Sequence, residues 1–144
     1  MTAEPEAFLM SLSDRLSPIA NERFSELSPS ERVFILIWDL EAEVNNGGFN
    51  QFFFNSAGDR ASATPAALRA IGAGRTAAIV DEANSSFPDG PPADRAVRQG
   101  VLETIDPDTE LFDELDQEFY GYPDDLSALL YRFVIEHRFD IRGT

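Results

Sequence analysis

Apolar residues recur along most of this chain at intervals of three and four, the spacing that lines one face of a helix. Phe8, Leu9, Leu12 and Leu16 predict a first helix from about Glu6 to Leu16. Ile19 and Phe24 carry the apolar theme beyond Pro18, so the helix is expected to continue, kinked, to about residue 24. Ser28-Pro29-Ser30-Glu31 then supplies an N-cap serine, a proline for the first helical position and a capping-box glutamate. The helix so begun should run from Pro29 to about Asn45. Val33, Ile37, Leu40 and Val44 fall on one side and Phe34, Ile35 and Trp38 on much of the other, the pattern of a central, buried helix. A buried strand over Val33–Leu40 is the rival, and the cap and the following Glu-Ala-Glu count against it.

Further helices are predicted from Thr64-Pro65 to a C-terminal Gly72, from Arg75 to about Ser85, and from Ala93 to Ile105 with Val97 and Val101 inward. A Pro/Gly-rich loop spans Phe87–Asp94. Another helix should cover Asp108–Tyr120 and be broken by Gly121-Tyr122-Pro123. A last one, capped by Asp124 or Asp125, carries Leu126, Leu129, Leu130, Phe133 and Val134. Neither an alternating strand pattern nor an internal repeat is found. The expectation is an all-α fold, an irregular bundle of about seven or eight helices forming a single domain over 1–144. Its core would lie at about 30–130, with an N-terminal helix at about 6–24.

Composition changes the picture in one respect. The chain has 144 residues, 43% of them hydrophobic with twelve Phe, which suits a packed core. Its charge is lopsided: 26 acidic residues face 11 basic ones, all arginine, for a net of −15. A surface of that sign repels nucleic acids and anionic membranes and attracts basic partners, so direct nucleic-acid or membrane binding is excluded. No cysteine is present, and no thiol chemistry follows. The N-terminus lacks a basic segment followed by an apolar run, and Val33–Trp38 is too short to span a bilayer. A cytoplasmic location is expected.

One stretch concentrates unusual residues. Glu43–Asp59 reads EVNNGGFNQFFFNSAGD. Asn46-Gly47-Gly48 after a helix looks like a C-terminal stop, since glycine enters the left-handed region without a Cβ penalty. Phe49, Phe52 and Phe53 would then form a short helix pressed into the core, with the Asn45, Gln51 and Asn55 amides satisfying backbone groups at the corner. The alternative is a small-ligand pocket lined by Asn45, Asn46, Gln51 and Asn55. Catalysis is not supported: amides do not titrate, and no nucleophile, base or metal set accompanies them. The protein is expected not to be an enzyme and to carry no cofactor.

The same residues, followed by Ala66-Ala67-Leu68-Arg69-Ala70-Ile71-Gly72-Ala73, resemble the signature of a bacterial domain-of-unknown-function family that includes DNA mimic protein nineteen. The likeness is specific over about Glu43–Ala73 and looser over Ser30–Leu130. It implies an all-helical fold and, from at least one member, binding to a DNA-binding transcription factor in place of DNA.

The candidate partner surface lies elsewhere. Ten acidic residues and no basic one fall between Glu103 and Asp125. On a helix, Leu111, Phe112, Leu115 and Phe119 occupy one side. Asp106, Glu110, Asp113, Glu114 and Gln117 lie opposite, with Asp116 and Glu118 on the flanks. Carboxylates three or four positions apart stand about 5–6 Å from one another. Phosphates along a strand stand roughly 7 Å apart, twice the ~3.4 Å axial rise. Asp106, Glu110, Asp113, Glu114, Asp116 and Glu118 are therefore the candidate contacts for a basic protein surface, a DNA-binding transcription factor being the implied partner. The bland alternative is a solvated acidic face. An immunity or antitoxin-like role would ask for the same surface, and the oligomeric state, a homodimer included, stays open. A calcium loop counted from Asp106 fails, with Leu111 where glycine and Gln117 where glutamate are required. His137, the single histidine, is expected at the surface or capping a helix end.

Overall fold

Ser28 starts the helix on which the rest is assembled. Its hydroxyl accepts from the Glu31 N–H (3.1 Å) while the Glu31 carboxylate accepts from the Ser28 N–H (2.9 Å), a complete capping box with Pro29 in the first turn. The computed structural model describes residues 3–144. Over these, α1 (Ala3–Arg23) leads through a short 3-10 turn into α2 (Pro29–Phe54), then a 3-10 stretch at Ser56–Ala63. There follow α3 (Thr64–Ala70), α4 (Gly74–Asn84), α5 (Arg95–Ile105), α6 (Asp113–Tyr120), α7 (Leu126–Glu136) and a last 3-10 turn at Arg138–Asp140. The fold is all-α, as the periodicity predicts. Among the described residues the sole departure is an isolated bridge between Pro88 and Gly90.

α2 is the axis, packed against α1, α3, α5, α6, α7 and the Ser56–Ala63 stretch. It is buried on most sides through Phe34, Ile35, Ile37, Leu40 and Val44. Its start is stapled to the C-terminal segment. The buried Glu31 carboxylate accepts from Arg142 N–H (2.9 Å) and Nε (2.8 Å), and Asp140 accepts from the Ser30 N–H (3.1 Å). Where the sequence suggests a stop, the chain breaks and resumes. Gly47 (φ −158°, ψ 21°) and Gly48 (φ 75°, ψ −176°) interrupt α2, and the helix restarts at Phe49. Phe49, Phe52 and Phe53 enter the core beside Phe87, Phe112 and Phe119. Phe49 meets Phe119 edge-on at 5.9 Å and Phe53 meets Phe87 at 4.8 Å, both favourable aromatic geometries.

Three helix expectations change. α1 runs through Pro18 to Arg23, longer than the regular part predicted. α6 begins at Asp113, five residues later than Asp108, because the Asp106 carboxylate takes the Leu111 N–H (2.9 Å) into a turn. Thr109 sits there at φ 54°. In α5 the predicted inward residue Val97 is 55% exposed, and Arg98 is fully buried in its place. Asp94 caps α5 by accepting the Val97 N–H, which sets the register so that Arg98 and Leu102 face inward.

Arg98 uses its whole guanidinium. Nε donates to Phe53 O (2.6 Å), Nη1 to Pro92 O and Ala93 O (2.9 and 3.2 Å), and Nη2 to Asn55 O and Asp59 Oδ1 (2.9 and 2.8 Å). Those carbonyls belong to the C-terminal end of α2 and to the loop before α5, where the helical ladder runs out; Asn55 O also takes the Gly58 N–H (3.1 Å). A buried charge is tolerable only with this degree of pairing. Arg98→Met therefore should cost about 3–5 kcal/mol, and Arg98→Lys should recover only part of it, because an ammonium cannot reproduce the fork. Urea denaturation measures both; a loss under about 1 kcal/mol for Arg98→Met would contradict this role.

Candidate partner-binding surface

The break in α2 creates a new carbonyl end and a new amide end, and side chains from distant positions occupy them. Asp116 Oδ1 accepts the Phe49 N–H at 2.8 Å, capping the restarted helix from α6. The Tyr120 hydroxyl donates to Val44 O at 3.0 Å, at the end of the first half. The amides are engaged as well. Gln51 Nε2 (2.9 Å) and Asn55 Nδ2 (3.1 Å) donate to the Glu43 carboxylate, and Asn46 Nδ2 to Gln51 Oε1 (3.1 Å). Asn50 Nδ2 donates to Asp106 Oδ2 (2.8 Å), and Asn45 Nδ2 to the Tyr122 hydroxyl (2.7 Å), which in turn donates to Glu41 Oε2 (2.6 Å). Asn45 and Asn46 are exposed and Gln51 and Asn55 half-buried. They knit Gly47, Gly48, Phe49 and Phe52 into a corner and do not converge on one cavity wall.

Gly48 is required there twice over. Its dihedrals fall in a region that is essentially glycine-only. A Cβ on it would also overlap the Asp116 carboxylate.

The six candidate contact residues separate into two groups. Asp106 is 4% exposed, and its carboxylate is occupied by Leu111 N–H and Asn50. Asp116 is half-buried against Phe49. Burial pushes its carboxyl above the usual aspartate range, with the Asp113 and Asp106 charges adding to the rise and the Phe49 N–H opposing it. The other four, Glu110, Asp113, Glu114 and Glu118, are exposed. Two further carboxylates of the Glu103–Asp125 run also have structural work. Asp124 accepts from Thr76 N–H (2.7 Å) and Oγ1 (2.9 Å) at the start of α4, and Asp125 accepts from Ala128 N–H (3.2 Å) at the start of α7. Of the two residues proposed for that last cap, Asp125 holds it.

Glu110, Asp113 and Glu114 face one groove of about 630 Å³ between the end of α4 and the start of α6. Glu82 joins them from α4, with Leu111 and Leu115 forming the apolar part of the lining. Leu111, predicted on the buried side, is 47% exposed because it sits in the turn ahead of α6. Glu118 lies apart, in a cleft with Arg75, Ile79 and Pro123. Glu82 is the residue sequence reasoning passed over, and no local pattern marks it, since its neighbours come from α6. Among the described residues, none of the Glu82, Glu110, Asp113 and Glu114 carboxylates has a hydrogen-bond or ion-pair partner, whereas the adjacent Asp81 pairs with Arg69 at 2.5 Å. His137 caps α7, its Nδ1 lying 2.8 Å from Phe133 O and its ring stacked on Phe133 at 4.0 Å. No group of three or more potential metal ligands gathers among the described residues, nor is any helix there long and apolar enough to cross a membrane.

A second titratable position stands on α2 itself. Asp39 shares a cavity of about 340 Å³ with Asp59, Arg60 and Arg95. Burial pushes its carboxyl up to about 6, the Glu43 charge adds to the rise, and Arg60 opposes it.

A family model described as DMP19-like protein matches residues 25–137, which include α2, the corner and the acidic groove. No curated protein and no solved structure matches the chain.

Two outcomes are expected from this geometry. Gly48→Ala should cost about 3 kcal/mol or more from backbone strain and overlap, while Gly47→Ala, which meets only the movable Gln51 side chain, should cost about 1 kcal/mol or less. Equal losses in thermal denaturation would contradict the corner. For Asp39 the folded pKa exceeds the unfolded one, so the folded state holds its proton to higher pH. The contribution of this group to stability is full below pH 3.8 and is lost as pH rises through about 6. Asp39→Asn should flatten that part of the stability–pH curve and raise stability near neutrality by about 1–2 kcal/mol, discounted for partial solvent access. Parallel curves for the two proteins would refute it.

Proposed function

The chain belongs to the DMP19-like protein family, and from that premise we propose that it is an acidic binding protein acting as a DNA mimic, one that occupies the DNA-contacting face of a transcription factor. The partner presents arginine and lysine side chains laid out for phosphates, and Glu82, Glu110, Asp113 and Glu114 receive them at the α4/α6 groove. Catalysis has no part in this activity.

The observation that carries the proposal is Glu82. It lies in the last turn of α4, where the helix dipole disfavours a negative charge, and no basic residue stands in that turn to offset it. Three more unpaired carboxylates face it across the groove. Like charges lining one groove repel one another. A cationic partner removes that repulsion, and the surface is then favourable when bound. Asp113 and Glu114 alone would support a plainer explanation, because acids in the first turn of a helix stabilise it. Glu82 and Glu110 have no such use. Exposed Leu111 adds an apolar contact for the stems of long basic side chains.

The test is a pull-down from host lysate at low salt, eluted by a sodium chloride gradient, with each captured protein then challenged by its own duplex DNA. A DNA-binding protein should be released by about 0.5 M salt, since the interaction is screened beyond a few ångströms there. DNA and this chain should compete for it. Changing Glu82, Glu110, Asp113 and Glu114 together to Gln should weaken capture at least tenfold, a loss of about 1.4 kcal/mol or more. Capture that withstands the salt, or a ternary complex with DNA, rules the proposal out.

A further inference from the structure

A second cavity, of about 290 Å³, opens between the start of α1 and the middle of α2, and the acidic groove contributes none of its walls. Leu9, Met10, Trp38 and Ala42 give it an apolar wall, while Glu6 and Glu41 bring two carboxylates; Asn45 and Ser127 complete the rim. Among the described residues no arginine lines it, and the charges of its lining are negative. Its size is at the small end for ligand pockets, which run from about 300 to 1,000 Å³.

The two carboxylates differ in what they already hold. Glu41 Oε2 accepts from the Tyr122 hydroxyl at 2.6 Å, and Oε1 has no partner within the described residues. The Glu6 carboxylate has none either. Burial pushes the Glu41 carboxyl above its usual range, the Tyr122 hydroxyl opposes this, and the charges of Glu6 and Asp125 push it further up. The site is thus short of positive charge. Trp38 stacks one face on Phe34 (5.5 Å between centroids, 19° between planes) and is half-buried at the cavity wall, and an indole is the best aromatic partner for a cation. A hydrated metal ion would gain nothing from Leu9, Met10 and Ala42. An anion would be repelled, and a neutral alkane would offer nothing to Glu41 Oε1 or to the Glu6 carboxylate. The group that satisfies every wall carries a positive charge at one end of an apolar chain.

We propose that the Trp38 cavity binds a primary alkylammonium ion, its ammonium held between Glu41 and Glu6 and its chain laid along Trp38, Leu9 and Met10. The same chemistry is offered by a free aliphatic amine and by the side chain of a lysine. This site stands independently of the DNA-mimic proposal, because its residues come from α1, α2 and the start of α7 and its ligand needs no DNA-binding protein.

Trp38 is the chain's single tryptophan, so its fluorescence reports the cavity directly. The full chain is titrated with n-butylammonium chloride, and separately with sodium chloride, sodium butyrate and 1-butanol. A saturable change in Trp38 emission with n-butylammonium alone is expected. Glu41→Gln and Glu6→Gln should each weaken it at least fivefold, and Glu82→Gln should leave it unchanged. Glu6→Gln keeps the result interpretable if Glu41→Gln disturbs Tyr122, since the Glu6 carboxylate has no partner among the described residues. Titration with Nα-acetyl-lysine N-methylamide separates the sources: saturation at lower concentration than n-butylammonium assigns the site to a lysine side chain, and the reverse order to a free amine. A change that does not saturate, an equal response to 1-butanol, or unaltered binding in both glutamine variants overturns the assignment.

Discussion

A central helix broken in its middle must satisfy two additional ends, and the rest of this structure is arranged around that requirement. At Gly47-Gly48, α2 loses the ladder that would pair its carbonyls and amides across the break. Water could serve an exposed break. This one sits beside Phe49, Phe52 and Phe53 in the core, so protein groups must serve instead. Asp116 reaches the restarted amide end, Tyr120 the terminated carbonyl end, and Glu43 gathers the amides of Gln51 and Asn55. Arg98 does the same for Phe53 O and Asn55 O, where α2 finally ends. Each of these groups comes from a different turn or helix, so the polar requirement of one corner fixes the placement of α5 and α6.

That requirement also divides the acidic residues. A carboxylate is an acceptor only, and it suits a helix amide end better than any neutral side chain. Asp94, Asp116, Asp124 and Asp125 are used in this way, and Asp106 holds a turn. Much of the apparent acidic face is therefore structural, and counting charges along the sequence overstates what a partner could meet. What remains after this subtraction is smaller but sharper: Glu110, Asp113 and Glu114 on one wall, and Glu82 on the other. The density comes from apposing two helices and not from one helix face.

The sequence announces its local features well. The capping box at Ser28, the glycine break, the Gly72 terminus and the Pro/Gly loop before α5 each depend on neighbours within a few positions, and each lies where the pattern puts it. The failures share a different cause. Arginine is ordinarily exposed, so nothing nearby distinguishes Arg98 from a surface residue; its acceptors lie near Asn55 and Ala93. Asp106 and Asp116 look like members of a solvated row until their partners, Asn50 and Phe49, are brought to them from more than fifty residues away. Glu82 reads as one charge on a short helix, and only the packing of α4 on α6 gives it company. Interactions between distant positions carry no periodicity, and for that reason the candidate groove was less legible than the fold.

The glycine-broken corner and the candidate groove are nonetheless one construction. α6 is bonded to the corner through Asp116 and Tyr120, and the turn that follows it through Tyr122. The same helix carries Asp113 and Glu114 into the groove. A change at Gly48 would thus be felt first at the Asp116 cap, and through it at the helix that positions two of the four free carboxylates. The amides of the Asn45–Asn55 stretch need not touch a partner to matter to one. They hold the frame on which the acidic groove is set, so the stretch carries the architecture and the groove's carboxylates carry the surface charge.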